Sequence, residues 1–339
     1  MMNNKLGRRE LLRAGATTLA AGALLSSTGN ASAMMYLDTP PQVIESRVFT
    51  SMPDEFRRKG QRSGWADANK GGKPVDSFIE GASFAPDGSL YITDIPFGRV
   101  FRVSPEGEWK LVAQYDGEPN GLKFHPDGRI IITCYRYGLM ELDPVNGKII
   151  PFFQRKNSES FKGVNDLAIS NEGEIYFTDQ GQTGLQDPTG RVFRLSPQRK
   201  LELLLSTGPS PNGIVLASEE PALYVAMTRD NAVWRLPLIG EGGTAKVARF
   251  CSFFGKSGPD GLSMDEAGNL MVAHASLGHV FMIAPNGECI ARIKSVAGTT
   301  CTNSAFGGPE RKQLFITESS TGTVLVADMP HPGAKLGMA

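Results

Sequence analysis

The chain has 339 residues, with 35 Lys and Arg against 35 Asp and Glu, so it offers no strongly basic surface for nucleic-acid phosphates. Its four cysteines, Cys134, Cys251, Cys289 and Cys301, form no CxxC pair, which argues against thiolate-metal and dithiol redox chemistry. No GxSxG, HExxH or phosphate-loop phrase occurs, which disfavours serine hydrolase, zincin and nucleotide chemistry.

The first 33 residues read as an export signal. MMNNKLGRRELLRAG is basic, an apolar run ATTLAAGALL follows, and Ala31-Ser32-Ala33 is a small-residue cleavage site. GRRELLR is close to a twin-arginine signal, although Gly7 stands where Ser or Thr is more usual and Leu11 where Phe is more usual. The expectation is therefore a cleaved segment 1–33 and a periplasmic protein with no membrane attachment, the alternative being an uncleaved amphipathic anchor. The apolar run is too short to span a bilayer. Cleavage would leave 31 basic and 34 acidic residues, a formal charge of −3. Periplasmic oxidation would permit one disulfide, but a chain of this size can build its core without one.

Residues 34–79 read as a strand followed by a connection. QVIESRVFT, Gln42 to Thr50, is the strand-like run, and Met52 to Val75 is polar, rich in Gly, Lys and Arg, and expected on the surface. From Glu80 the sequence repeats. Six units begin EGASFAPDG at Glu80, NGLKFHPDG at Asn120, NDLAISNEG at Asn165, NGIVLASEE at Asn212, DGLSMDEAG at Asp260 and NSAFGGPER at Asn303. Their spacings of 40, 45, 47, 48 and 43 residues are those of a four-stranded propeller blade. Each unit reads as a strand, a tight turn, a strand ending near Thr-Asp, a third strand such as GRVFRVSP and, in most, a fourth such as WKLVAQY. The prediction is an all-β, six-bladed β-propeller with four-stranded blades over residues 80–329, followed by a tail at 330–339. The last unit lacks a fourth strand, so Gln42 to Thr50 is expected to supply it and close the ring.

If each unit begins with the innermost strand, Glu80, Asn120, Asn165, Asn212, Asp260 and Asn303 form one ring around the central channel. Turn chemistry alone would explain an Asn-Gly phrase at any one of them. It explains the set of six less well, because a turn would tolerate Ser, Gly or Lys and none appears. Such oxygens suit calcium, magnesium or manganese better than zinc or copper. Calcium is the first choice, with manganese, magnesium and zinc as alternatives. A second ring, at the end of the second strand, is Asp94, Cys134, Asp179, Met227, His274 and Glu318. His274 could shuttle a proton, while the Thr-Asp pairs are expected to bond loop backbone.

SFIEGASFAPDG, GVNDLAI, PSPNGIVL, GPDGLSMDEAGNL and TNSAFGG, in order and at blade spacing, resemble the senescence marker protein and gluconolactonase family of six-bladed propellers. The resemblance covers the chain beyond the export signal. It implies that Glu80, Asn165, Asn212 and Asp260 hold or surround a divalent metal. Asn120 also heads a PNG phrase, and Asn212 is preferred because it directly precedes the Asp260 blade. Glu-Gly-Ala stands where the family more often has Glu-Gly-Pro, and Lys162 precedes the ND phrase where an arginine often grips sugar hydroxyls. The implied activity is lactone hydrolysis, with Asp260 as base and with Asn120, Asn303, His274 and Lys162 near the substrate. The partner expected is a small-molecule lactone, with no protein partner evident. A calcium-dependent phosphotriesterase and a non-catalytic ligand-binding propeller are the alternatives, since a fold alone does not choose among functions.

Overall fold

Runs such as Ile130–Cys134 (IIITC) and Ala222–Met227 (ALYVAM) are apolar without alternation, and every residue in them is buried. A strand of that kind needs a packed layer on both faces. The computed structural model describes residues 39–218, 220–240 and 243–335, and it meets that need by standing six sheets radially around an axis. Their innermost strands are Ile79–Phe84, Pro119–Phe124, Val164–Ile169, Pro211–Leu216, Pro259–Met264 and Cys301–Gly307. Each touches the next, and the sixth touches the first, so the ring is closed. The predicted six-bladed, all-β propeller is the fold observed.

The core is divided accordingly. Six apolar clusters lie between consecutive blades, as where Ile131 and Leu139 of the second blade meet Phe177 and Phe193 of the third. Blade faces are therefore the main hydrophobic interfaces, with the second strands buried on both faces and the outer strands partly exposed.

Closure differs from expectation in one respect. The run predicted as one strand breaks at Ser46, whose hydroxyl donates to the Lys294 carbonyl at 2.5 Å. Strand β1 (Gln42–Glu45) then lies parallel to the outer strand Cys289–Lys294 of the fifth blade, and β2 (Arg47–Ser51) pairs antiparallel with Thr323–Asp328 of the sixth. One segment thus covers the edges of two adjacent blades, because a single straight strand cannot follow the turn from one radial sheet to the next. Phe49 secures β2 by meeting Phe315 edge-on at 5.0 Å.

The stretch Met52 to Val75 is also more than a surface connection. It contains helix α1 (Gly64–Asn69), capped by Ser63, whose hydroxyl accepts from the Ala66 backbone N–H at 3.2 Å. Trp65 and Ala66 of α1 are buried against Phe78 and Ile95 of the first blade. The aromatic Trp65 was the signal that this polar stretch has an inner face.

The hairpin phrases behave as turns. Gly88, Gly128, Gly173 and Gly268, at the ends of PDG, PDG, NEG and EAG, all adopt φ between 78° and 90°, where a side chain is strained. Among the described residues no helix is long and apolar enough to cross a membrane. The proposed export signal, residues 1–33, lies outside the described residues.

Candidate active site

The six unit heads do not lie in turns. Each sits within the innermost strand of its blade, and in every blade the pairing with the second strand shifts register there, as between Glu80 and Ser83 or between Pro211 and Ile214. A bulge of this type re-aims a side chain out of the pleat. All six heads are between 2% and 9% exposed, which places them in the channel wall and not on the outer surface.

The glycine that follows four of the heads has a reason other than turn chemistry. A Cβ on Gly81 would lie 2.2 Å from the Asn120 carbonyl oxygen of the next blade, and one on Gly213 would lie 2.3 Å from the Asp260 carbonyl oxygen. Gly121 faces Asp166 and Gly261 faces Asn303 in the same way. These glycines let adjacent inner strands converge at the axis.

Threonines of the second strands fix the convergence. Thr93 Oγ1 donates to the Asn120 carbonyl at 2.5 Å, Thr178 Oγ1 to the Asn212 carbonyl at 2.7 Å, and Thr133 Oγ1 to the Asn165 carbonyl. The bulged amides of Gly121, Asp166 and Asn303 in turn donate to Thr133, Thr178 and Thr317 of their own blades. The neighbouring Asp94 and Asp179 are structural. Their carboxylates accept from the Phe78 and Gly163 backbone N–H groups and pair with Arg99 and Arg191. Glu318 likewise accepts from the Thr300 and Thr321 amides.

Glu80 and Asp260 lie across the channel from different blades, and each is buried without an ion pair to a described residue. Burial pushes the Glu80 carboxyl well above the usual carboxylate range, and the nearby charges of Asp260 and Asp166 push it further. Asp260 is raised by burial and then by Asp166. Asn303 Nδ2 donates to Glu80 Oε2 at 3.2 Å, while its own oxygen accepts from the Ser304 amide at 2.8 Å. Asn212 adjoins Asp260 and favours its charged form. Asn165 Nδ2 donates to Gln180 Oε1 at 2.9 Å, and Gln180 Nε2 donates to Ser210 Oγ at 2.9 Å. That chain orients the amide and leaves Asn165 Oδ1 as a free acceptor.

The structure therefore brings Glu80 and Asp260 together and sets Asn165, Asn212, Asn120 and Asn303 at the same level. Among the described residues no group of three or more His, Cys, Asp or Glu is gathered as a metal cluster. The donor set here is instead two carboxylates and two carboxamides. Two close, unpaired, buried carboxylates are costly alone, and a hard divalent cation is what their chemistry fits.

Two other expected residues lie elsewhere. His274 is fully buried, packed against Phe253 and Phe281 at ring distances of 5.9 and 6.1 Å. No partner at hydrogen-bond distance meets either ring nitrogen, although the Phe254 backbone lies near enough to favour the charged ring slightly. Lys162 is exposed and bonds Thr189 Oγ1.

Three residues escaped sequence reading. Asp166 stands where four other blades carry the close-approach glycine, and it adds a third buried carboxylate, which burial pushes above the usual carboxylate range against the opposing charge of Lys123. Lys70, just after α1, and Arg229 lie at the channel mouth. Beside them a cavity of about 430 Å³ is lined by Asn69, Gln180, Gln182, Gln186, Ser210 and Arg229. At the other end, a cavity of about 140 Å³ has mainly apolar walls, including Phe124, Ile214, Leu262 and Phe306, and no carboxylate.

Comparison with known proteins agrees with this fold. Residues 78–320 match the SMP-30/gluconolactonase/LRE-like region. The chain is 29% identical over 308 residues to a gluconolactonase of Zymomonas mobilis, covering 85% of this chain and 81% of that protein. It is 27% identical over 248 residues to lactonase drp35 of Staphylococcus aureus, covering 68% and 72%. Among solved structures, the calcium-binding protein regucalcin from Agrobacterium tumefaciens superposes with a TM-score of 0.68 at 19% identity, over 86% of this chain and 99% of that one.

Proposed function

The chain belongs to the SMP-30/gluconolactonase/LRE-like family, and on that premise we propose that it hydrolyses a small lactone at the Glu80 and Asp260 centre. The observation that carries the reading is the pair of buried carboxylates, unpaired and flanked by Asn165 and Asn212, beside a cavity lined by amides, the hydroxyl residues Thr183 and Ser210, and Arg229. The relatives named gluconolactonase and lactonase support the reaction type.

Glu80, Asn165, Asn212 and Asp260 would hold a divalent cation, calcium being the best match to an all-oxygen set. When bound, such an ion supplies Lewis acidity to an ester carbonyl. Asp260 then accepts a proton from the attacking water as the new C–O bond forms. The same proton can return to the ring oxygen as the lactone C–O bond breaks, giving a hydroxy acid. Asn303 keeps the Glu80 carboxylate oriented, and Gln180 does the same for Asn165. The amides of Gln180, Gln182 and Gln186 suit a polyhydroxylated substrate.

Acid release from a panel of aldonolactones by chelator-stripped protein, with and without added calcium, manganese or zinc, tests the proposal. Activity restored by metal supports it. Full activity in stripped protein contradicts the metal centre, and inactivity across the panel with turnover of a phosphotriester contradicts the substrate class.

A further inference from the structure

Two cations at the channel mouth take no part in the hydrolysis as proposed. The Lys70 ammonium stands 4.2 Å from the centroid of the Phe78 ring and 5.4 Å from that of Trp65. It makes no hydrogen bond or ion pair to a described residue. Phe78 is two residues before Glu80, and Lys70 lies within electrostatic range of Asp260 and Glu80. The Arg229 guanidinium opens onto the amide-lined cavity together with Asn69, the residue before Lys70. It too has no partner, because the adjacent Asp230 is engaged by Arg249 and by Trp234.

Other arginines of this face are paired, Arg57 with Asp76, Arg99 with Asp94 and Arg191 with Asp179. A half-buried ammonium resting on two aromatic faces and an exposed guanidinium within electrostatic range of it are two donors that no described side chain accepts from. Both cations act on Asp260 as well as on each other, so an acceptor that enters with the ligand binds between them within reach of the Glu80 and Asp260 centre.

Building on the lactonase reading, we propose that Lys70 and Arg229 clamp a carboxylate of the substrate, so that the preferred lactone carries a free acid group, as an aldaric acid lactone does. The ester end then meets Glu80 and Asp260, the hydroxyls meet the glutamines, and the acid end meets the two cations.

D-glucaro-1,4-lactone and D-glucono-1,4-lactone differ only in bearing a carboxylate or a CH2OH at the far carbon, so the ratio of their kcat/KM values in metal-replete protein is the readout. The expected ratio is at least tenfold in favour of the acid, carried by KM and reduced by salt. Lys70→Met and Arg229→Gln should each bring it close to one, and Lys70→Arg should retain it. A wild-type ratio of one or less, or variants that lower both substrates alike, overturns the clamp. Calorimetric binding of D-glucarate against D-glucitol separates this outcome from failure of the lactonase reading. Lys70-dependent preference for glucarate, with no lactone turned over, supports the clamp and removes the hydrolysis. Turnover of the neutral lactone with no glucarate preference does the reverse.

Discussion

His274 shows how a residue type can mislead at the scale of one side chain. A histidine at the end of a propeller strand looks like a proton carrier, but this one is buried against Phe253 and Phe281 and its pKa is pulled down to about 4 by burial. It is neutral in the folded protein. Because its folded pKa lies below the unfolded value of about 6.5, its contribution to stability is present above that value and is lost as pH falls toward 4. Urea denaturation should show wild-type stability dropping between pH 7 and 4.5, with on the order of 2 kcal/mol of the drop removed in His274→Leu. An identical pH dependence in the two proteins would mean that the ring finds a partner when charged. Asp166 carries the opposite lesson. A carboxylate in the place of a glycine was visible as a departure from the repeat, yet its inward direction depends on a bulge that composition does not announce.

At the scale of the element, the inner strand is the working unit. Its bulge turns the head residue toward the axis, its glycine admits the next blade, and a threonine on the second strand holds the neighbour's carbonyl. Gly213→Ala should therefore disturb the site as well as the fold, since the added Cβ would meet the Asp260 backbone oxygen at 2.3 Å. The expected cost is about 1–3 kcal/mol, seen as a lowered urea midpoint, together with a fall in kcat beyond what the loss of folded protein explains. Unchanged stability would show that the inner ring can open without penalty. The repeat heads were legible because the blades recur, and Glu80, Asn165, Asn212 and Asp260 could be numbered from spacing and resemblance alone. Helix α1, Lys70 and Arg229 were not legible in that way. Helix α1 and Lys70 belong to an insertion that occurs once, and the turn of Arg229 has a counterpart at Ile95–Phe97 in the first blade that carries no cation, so periodicity gives no information about either.

For the whole molecule, stability and site depend on closing the ring. The six clusters between blades form a circular series, and the one between the sixth and first blades includes Met52 with Phe49 packed on it from β2. Strand β2 supplies the last edge of the sixth blade, whereas β1 only adds to the outside of the fifth. Truncation through Glu45 should thus lower the melting temperature by a few degrees, and truncation through Ser51 should abolish the single cooperative transition. Equal tolerance of both truncations would contradict the closure role. Sequence reading recovered the closing segment because the sixth unit lacked a strand, but it could not show that the segment divides at Ser46 to serve two blades. The channel-mouth groups also come from parts of the chain far apart in sequence, from α1 and from the fourth blade. The same closed ring holds Glu80 of the first blade against Asn303 of the sixth.

The most direct test of the account is kcat/KM for a hydrolysed lactone in metal-replete wild type and Asp260→Asn, each confirmed as folded by its melting transition. The variant should lose at least about a hundredfold, the size expected for a removed general base. A variant that retains activity within a few-fold of wild type would place the chemistry away from the Glu80 and Asp260 centre.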